Sequence, residues 1–368
     1  MQILSLEYED KLRRWKLEQM DFRLLTLIVG ASGVGKTQVL QAVGYLKLIA
    51  SGASFSGVKW NVKFQTLSGV IFRWYGEFST DADIKNGNVN ASRIIEEGLH
   101  SNGQRVIERE NGVILFNNEQ TITLPHERSV LDMLRENPVV SDAYTALGQI
   151  RFTQSNNWKM PSGLLFGPGP AFNLDQYNSL EEVQSSNESL LAKLYLLNRT
   201  EPDLFSQWRS QCKSVFPFIE DIRVKADRYQ EGEGVDVTVE IKEYGVDQWI
   251  SEYHLSSGMH RTLLQIAELY LIPSGSLILI DEFENSLGVN CIDEVMDLIL
   301  GSQKLQFIIT SHHPYIINGI SSANWKMLTR SGGVVKAHDV EDLGFGKSKH
   351  QAFMQLINLD EFSEGVNV

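Results

Sequence analysis

The stretch GASGVGKT, residues 30–37, lies between an apolar run, LLTLIV (24–29), and a segment with helical spacing of apolar side chains, QVLQAVGYLKLIA (38–50). A strand buried on both faces reads as an unbroken apolar run, so the order is strand, glycine-rich turn, helix. The spacing G-x-x-x-x-G-K-[ST] in that order narrows the chain to an α/β core with a phosphate-cradling loop. Glycines let backbone N–H groups close around phosphate oxygens, and the helix adds the positive end of its dipole. Gly30, Ser32, Gly33, Gly35, Lys36, Thr37 and Gln38 are the expected triphosphate contacts. Among them Lys36 reaches the β- and γ-phosphates and Thr37 offers an oxygen to Mg²⁺.

Three further elements belong with a triphosphate. In LILIDE (277–282) a buried strand ends in two carboxylates. Asp281 is placed to support Mg²⁺, and Glu282 to orient and polarise an attacking water; phosphoryl transfer needs little more than positioning and charge neutralisation. In FIITSHHP (307–314) His312 follows an apolar strand and is a candidate γ-phosphate contact, with His313 as its non-catalytic neighbour. In LSSGMHRTL (255–263) Ser256, Ser257 and Gly258 precede a helical run and make a second anion-binding helix mouth. One compact core cannot grip one nucleotide from both sides. This second mouth is therefore expected to act in trans, on the nucleotide of a two-fold-related copy.

The rest of the chain supplies the surroundings. Residues 58–125 read as short strands split by the turn signals SNG, ENG and NN, and 127–215 as mostly helical or loop-like. SLEEVQSSNESLLAKLYLL is the clearest helix there, starting at a Ser179 cap with Glu182 three positions on. The stretch 155–175 is rich in Gly, Pro and Asn and reads as a loop; strands return around 222–254. The expected organisation is an N-terminal part of an α/β core (1–90), a β-and-helical insertion or lid (91–235), a C-terminal part of the core (236–340) and a tail (341–368). The expected class is α/β with a mixed sheet and no long coiled coil.

Charge and composition limit the partners. The 368 residues carry a net charge of −13, which argues against general affinity for nucleic acid. The two dense basic stretches, KLRRWK (11–16) and KSKH (347–350), read as a solvated hairpin and a solvated loop. Two cysteines, Cys212 and Cys291, exclude a disulfide framework or a cysteine-based zinc site and fit a reducing cytoplasm. No apolar run reaches membrane-spanning length, and no signal-peptide order opens the chain.

With these four elements in this order the chain resembles the ATP-binding-cassette (ABC) ATPases, over about residues 1–90 and 230–335. GASGVGKT is similar to the Walker A motif, LSSGM to the signature usually written LSGGQ, and LILIDE to Walker B. NSLG (285–288) falls where the D-loop lies, and His312 falls at the switch histidine. The long stretch between Walker A and signature, and the absence of proline after the Walker B glutamate, resemble the soluble RecF, SMC and OLD-like branch rather than transporters. TSHHPYIIN is similar to the T-H-S-P form of compact OLD-like ATPases, many of them in bacterial anti-phage systems: Septu, retron-associated ATPases and PARIS.

The resemblance implies ATP and Mg²⁺ as ligands, and a homodimer of heads joined by ATP. It also implies a separate effector such as a Toprim or HNH nuclease, since no metal-binding acidic cluster follows His312. The chain departs from the pattern at Ser257 and Met259, where Gly and Gln are common. No Q-loop glutamine is assigned among Gln65, Gln149 and Gln154. The alternatives are a DNA-repair or chromosome-maintenance ATPase that binds duplex directly, an ATP-bound scaffold with negligible turnover, and a transporter energiser.

Overall fold

The computed structural model describes residues 1–80, 84–85, 88–89, 92–110, 112–120, 124–153, 177–186, 188–228, 235–286, 291–302, 304–343 and 349–358. It divides into two compact units: Met1–Phe152 with Gly275–Glu282 and Gln303–Val368, and Thr153–Ser274 with Phe283–Ser302.

The first unit is built on one mixed sheet of 14 strands. Its two halves follow from two sequence periods. Val58–Gln65 (VKWNVKFQ) alternates along its length, burying Val58, Trp60, Val62 and Phe64 on one face. It pairs antiparallel with Gln2–Asp10 and Ile71–Phe78, and the wing continues through Ile94–Ser101, Gln104–Glu110 and Val113–Phe116. The Trp60 ring packs 5.1 Å from Trp74 and 5.4 Å from Phe78, centroid to centroid. The other half contains strands buried at nearly every position. Leu25–Val29 lies parallel between Trp325–Ser331 and Gln306–Thr310, followed by Leu277–Ile280 and Ile150–Phe152, all parallel. Such strands are covered on both faces, so they read as continuous apolar runs. Their carboxyl ends point the same way, where ligands of open α/β sheets bind.

The two halves meet where Trp15–Asp21 pairs with Val334–Asp339. There Lys16 N donates to Gly333 O (2.9 Å), and a Cβ on Gly333 would stand 1.9 Å from the Arg14 carbonyl oxygen. Backbone cannot yield to that overlap. Gly333→Ala is expected to lower the thermal midpoint by several degrees, with a cost of about 1–3 kcal/mol typical of overpacking. An unchanged melting curve would show that the strands separate there without penalty.

The KLRRWK stretch forms the turn between Gln2–Asp10 and Trp15–Asp21, with Arg14 at φ 52° and Lys11 paired to Glu77 at 2.5 Å. It is a solvated hairpin, as its composition implies.

The second unit packs Leu190–Thr200, Pro202–Val215 and Ser257–Leu271 together with a three-stranded sheet of Ile219–Arg228, Val235–Glu243 and Ile250–Ser251. One sequence reading needs correction here. The run from Ser179 is two helices, Leu180–Ser185 and Leu190–Thr200. Ser179 Oγ accepts from Glu182 N (3.2 Å), so the expected cap forms. Ser186 Oγ then bonds Val183 O (2.8 Å) and Ser189 Oγ accepts from Ala192 N (3.2 Å). Serine side chains that compete for backbone end the first helix and cap a second.

The two units divide the chain elsewhere than at 90 and 235. Ile94–Ser101 continues the large sheet because the edge of Ile71–Phe78 accepts it in register, Tyr75 opposite Gly98. The helix opening at Ser257 belongs to the second unit, whereas Leu277–Ile280 belongs to the first. The loop 155–175, Gln154, residues 287–288 of NSLG, and Lys347 and Ser348 lie outside the described residues. Among the described residues the longest helices have 15 residues, too short for an extended coiled coil.

Candidate nucleotide site

The phosphate loop leaves Leu25–Val29 at Gly30 and enters the helix Lys36–Ala50. Its three glycines hold φ of 144°, 84° and 112° at Gly30, Gly33 and Gly35. Side chains other than glycine rarely adopt these values. Space is also short at Gly30, where a Cβ would sit 2.8 Å from Leu328 O. Ser32 and Gly33 are exposed at the loop's tip, and Gln38 lines a small cavity with Tyr8 and Trp15. Lys36 Nζ donates to Gly30 O (2.7 Å) and Ala31 O (2.9 Å), so its ammonium spans the loop.

Asp281 and Glu282 follow Leu277–Ile280, and Thr37 is brought to them from the distant helix. Thr37 Oγ1 donates to Asp281 Oδ2 at 2.8 Å, and Thr310 Oγ1 donates to Asp281 Oδ1 at 2.6 Å. The Thr310 hydroxyl also accepts from Glu282 N at 2.8 Å. Glu282 has φ 47°, a left-handed conformation that costs a non-glycine residue of order 1–3 kcal/mol and persists only where surroundings enforce it. Asp281 is half-buried, tied to both threonines, while Glu282 is exposed.

Thr37 and Asp281 offer hard oxygen donors at one point. Among the described residues no group of three or more His, Cys, Asp or Glu side chains could hold a metal by itself. One carboxylate and one hydroxyl, completed by water and substrate phosphates, is the donor set that suits Mg²⁺.

His312 is exposed two residues beyond the strand Gln306–Thr310. Ser311 Oγ accepts from His313 N (3.0 Å), and His313 Nδ1 accepts from Tyr315 N (3.3 Å). His313 thus caps the helix Pro314–Gly319, a structural role that leaves His312 on the outer side of the turn.

The sequence assigns no role to two further side chains at this site, although one lies within FIITSHHP. Thr310 is one. Arg330 is the other: its Nη1 donates to Gly33 O (3.3 Å) and its Nε to Gly332 O (2.9 Å), bracing the loop from the neighbouring strand. Only strand order places either residue here. Two of the glutamine candidates go elsewhere. Gln149 O accepts from Leu277 N (3.1 Å) and its Oε1 from Ser276 Oγ (3.2 Å), at the amino end of the strand whose carboxyl end bears Asp281. Gln65 Nε2 donates to Gly69 O within its own turn.

In the second unit Ser256 is the N-cap of Ser257–Leu271, its Oγ accepting from Met259 N at 3.2 Å. Ser256 and Ser257 are exposed, and a Cβ on Gly258 would meet nothing within 4 Å. The helix mouth is therefore open to a ligand or a partner.

A sheet that joins an antiparallel wing to parallel strands bearing a phosphate loop has clear likenesses among solved structures. The SmcHead bound to the C-winged helix domain of ScpA matches with a TM-score of 0.53 at 13% identity, over 93% of this chain and 100% of that one. The fold is similar to that of this Smc head. A second such head, with an extended coiled coil and bound to the C-terminal domain of ScpA derived from Pyrococcus furiosus, matches with a TM-score of 0.53 at 11% identity, over 93% and 98%. Residues 144–318 match the family model described as "AAA domain, putative AbiEii toxin, Type IV TA system". A search of curated proteins finds no match. Residues Ser256–Gly258, Asp281, Glu282 and His312 fall within the family-matched stretch of this chain, and the phosphate loop lies outside it. Among the described residues no helix is long and apolar enough to cross a membrane.

Proposed function

We propose that this head is a cytoplasmic ATP-hydrolysing switch, in which two copies close on two ATP molecules and part on hydrolysis. The observation that carries the reading is the junction of Thr37, Asp281 and Glu282 at the mouth of the phosphate loop. Lys36 and the loop amides hold the β- and γ-phosphates, and Thr37 with Asp281 hold Mg²⁺, which when bound neutralises charge on those phosphates. Glu282 orients a water against the γ-phosphorus. A bond forms from the water oxygen to phosphorus and the bond to the β,γ-bridging oxygen breaks, giving ADP and phosphate. The water's proton passes through the Glu282 carboxylate to solvent or phosphate. His312 contacts the γ-phosphate, and the exposed mouth at Ser256, Ser257 and Gly258 seals the partner copy's nucleotide.

Trans action has a direct test. Lys36→Ala removes the loop's cation, and Ser257→Arg blocks the helix mouth; each variant alone is expected to be inactive. Mixed, they form dimers with one intact composite site, and up to about a quarter of parental ATPase returns. No recovery on mixing would place the serine–glycine mouth in cis and sink the two-copy arrangement.

The switch is read as controlling a separate effector, such as a Toprim or HNH nuclease, in anti-phage defence. Two comparisons support an effector partner: the toxin–antitoxin description of the matched family, and the Smc heads that carry bound ScpA domains. Co-purification of a nuclease with the tagged full chain tests it. The likeness to Smc heads also favours a second reading, direct duplex binding in chromosome maintenance or repair. Salt-dependent binding of the isolated chain to duplex DNA would select that reading, against the −13 net charge.

A further inference from the structure

We infer that Thr310 is a positioning residue for hydrolysis, setting both carboxylates through one hydroxyl; the inference rests on the proposed ATPase reading. Thr310 is fully buried at the end of Gln306–Thr310, adjacent to the Asp281-bearing strand. A threonine hydroxyl has one hydrogen to donate and lone pairs to accept. Here the hydrogen goes to Asp281 Oδ1 (2.6 Å), and a lone pair takes Glu282 N (2.8 Å).

These two bonds do different things. The first leaves Asp281 gripped from both sides, because its other oxygen accepts from Thr37 at 2.8 Å. The carboxylate therefore cannot rotate away from the phosphate loop without breaking two hydrogen bonds. The second anchors the backbone of Glu282, from which its side chain departs, in its left-handed turn, φ 47°. Without the hydroxyl this part-buried N–H loses that acceptor, so nothing holds the turn at positive φ from behind, and the Glu282 side chain moves as the backbone relaxes. Groups that fix a catalytic ligand from behind change affinity or rate by about tenfold to a hundredfold when removed.

The test uses the full chain and two variants. Thr310→Val keeps shape and burial but loses both hydrogen bonds; Thr310→Ser keeps the hydroxyl. Single-turnover hydrolysis and the Mg²⁺ dependence of ATP binding are measured for each, with the thermal midpoint as a control. Thr310→Val is expected to slow hydrolysis by tenfold or more and to raise the Mg²⁺ concentration needed for tight ATP binding, and Thr310→Ser to restore both. In a Glu282→Gln background Thr310→Val is expected to add little to the rate loss, because the carboxylate it positions is already gone.

Thr310→Val with parental rate and parental Mg²⁺ dependence overturns the inference. So does an equal loss in the serine and valine variants that follows their melting temperatures. If the parent chain hydrolyses no ATP, the ATPase reading fails first. The Mg²⁺ titration of binding still decides whether Thr310 orients Asp281.

Discussion

Glu282→Gln is expected to bind ATP as tightly as the parent, to hydrolyse it about 10²–10⁴-fold more slowly, and to accumulate as an ATP-joined dimer. The amide keeps the size and hydrogen-bonding reach of the side chain but cannot take a proton from water. The Lys36 bonds to Gly30 O and Ala31 O and the Thr37–Asp281 bond do not use this side chain, and the bond to Thr310 uses the Glu282 backbone. Binding and turnover should thus come apart in one substitution. Single-turnover hydrolysis and size-exclusion chromatography with ATP check it. A variant with the parental rate would mean another group activates the water. A slow variant that stays monomeric would keep the base and discard the dimerising switch. The ATP-bound scaffold predicts instead that the parent turns over as slowly as the variant.

Arg109→Met is expected to destabilise the first unit by about 3–5 kcal/mol, the loss typical when one partner of a buried ion pair is removed. Glu97 and Arg109 are both fully buried in the antiparallel wing, with Arg109 Nη1 3.6 Å from Glu97 Oε2. The glutamate also accepts from Ser129 Oγ (2.5 Å), Val130 N (2.9 Å) and Trp74 Nε1 (3.0 Å). Arg109 donates onward to Arg128 O (2.9 Å) and Pro125 O (3.1 Å), tying a loop and the short helix Val130–Met133 to the sheet. Methionine fills similar space but leaves a buried carboxylate without its cation and two carbonyls without their donor.

The effect should depend on pH. Burial already holds the Glu97 carboxyl above the ordinary carboxylate range, and Arg109 is the largest influence opposing that rise. Without Arg109 the folded-state value climbs further, while the unfolded value stays near its usual ~4.3. Between the two the folded state binds a proton that the unfolded state does not, so stability falls as pH rises. Urea denaturation should therefore show a wider gap between parent and Arg109→Met at pH 8 than at pH 5. The double variant Glu97→Gln/Arg109→Met should recover much of the loss. A gap independent of pH would mean that the lost carbonyl bonds, not the stranded carboxylate, carry the cost.

Much of the candidate site was legible before folding. The phosphate loop is local: a strand, three glycines in left-handed or extended-positive φ, and a helix follow one another within a few residues, so a short window of sequence specifies them. The acidic end of Leu277–Ile280 and the serine cap at Ser256 are local for the same reason. Helical apolar spacing runs on from Leu180–Ser185 into Leu190–Thr200, and only the bonds of Ser186 and Ser189 to backbone divide the two helices, a competition that spacing does not show. Alternating strands beyond residue 90 look alike in sequence whether they extend an existing sheet or begin another; hydrogen-bond register decides that, and register is a tertiary property.

Chain chemistry by itself thus determined which groups can hold a triphosphate and a hard cation, because those demands fall on residue types and short spacings. Tertiary structure alone decided that Thr37 meets Asp281, that Thr310 stands behind both carboxylates, and that Arg330 braces Gly33. Each of these contacts joins residues far apart in sequence, and the parallel order of four buried strands, which no local pattern encodes, sets them side by side.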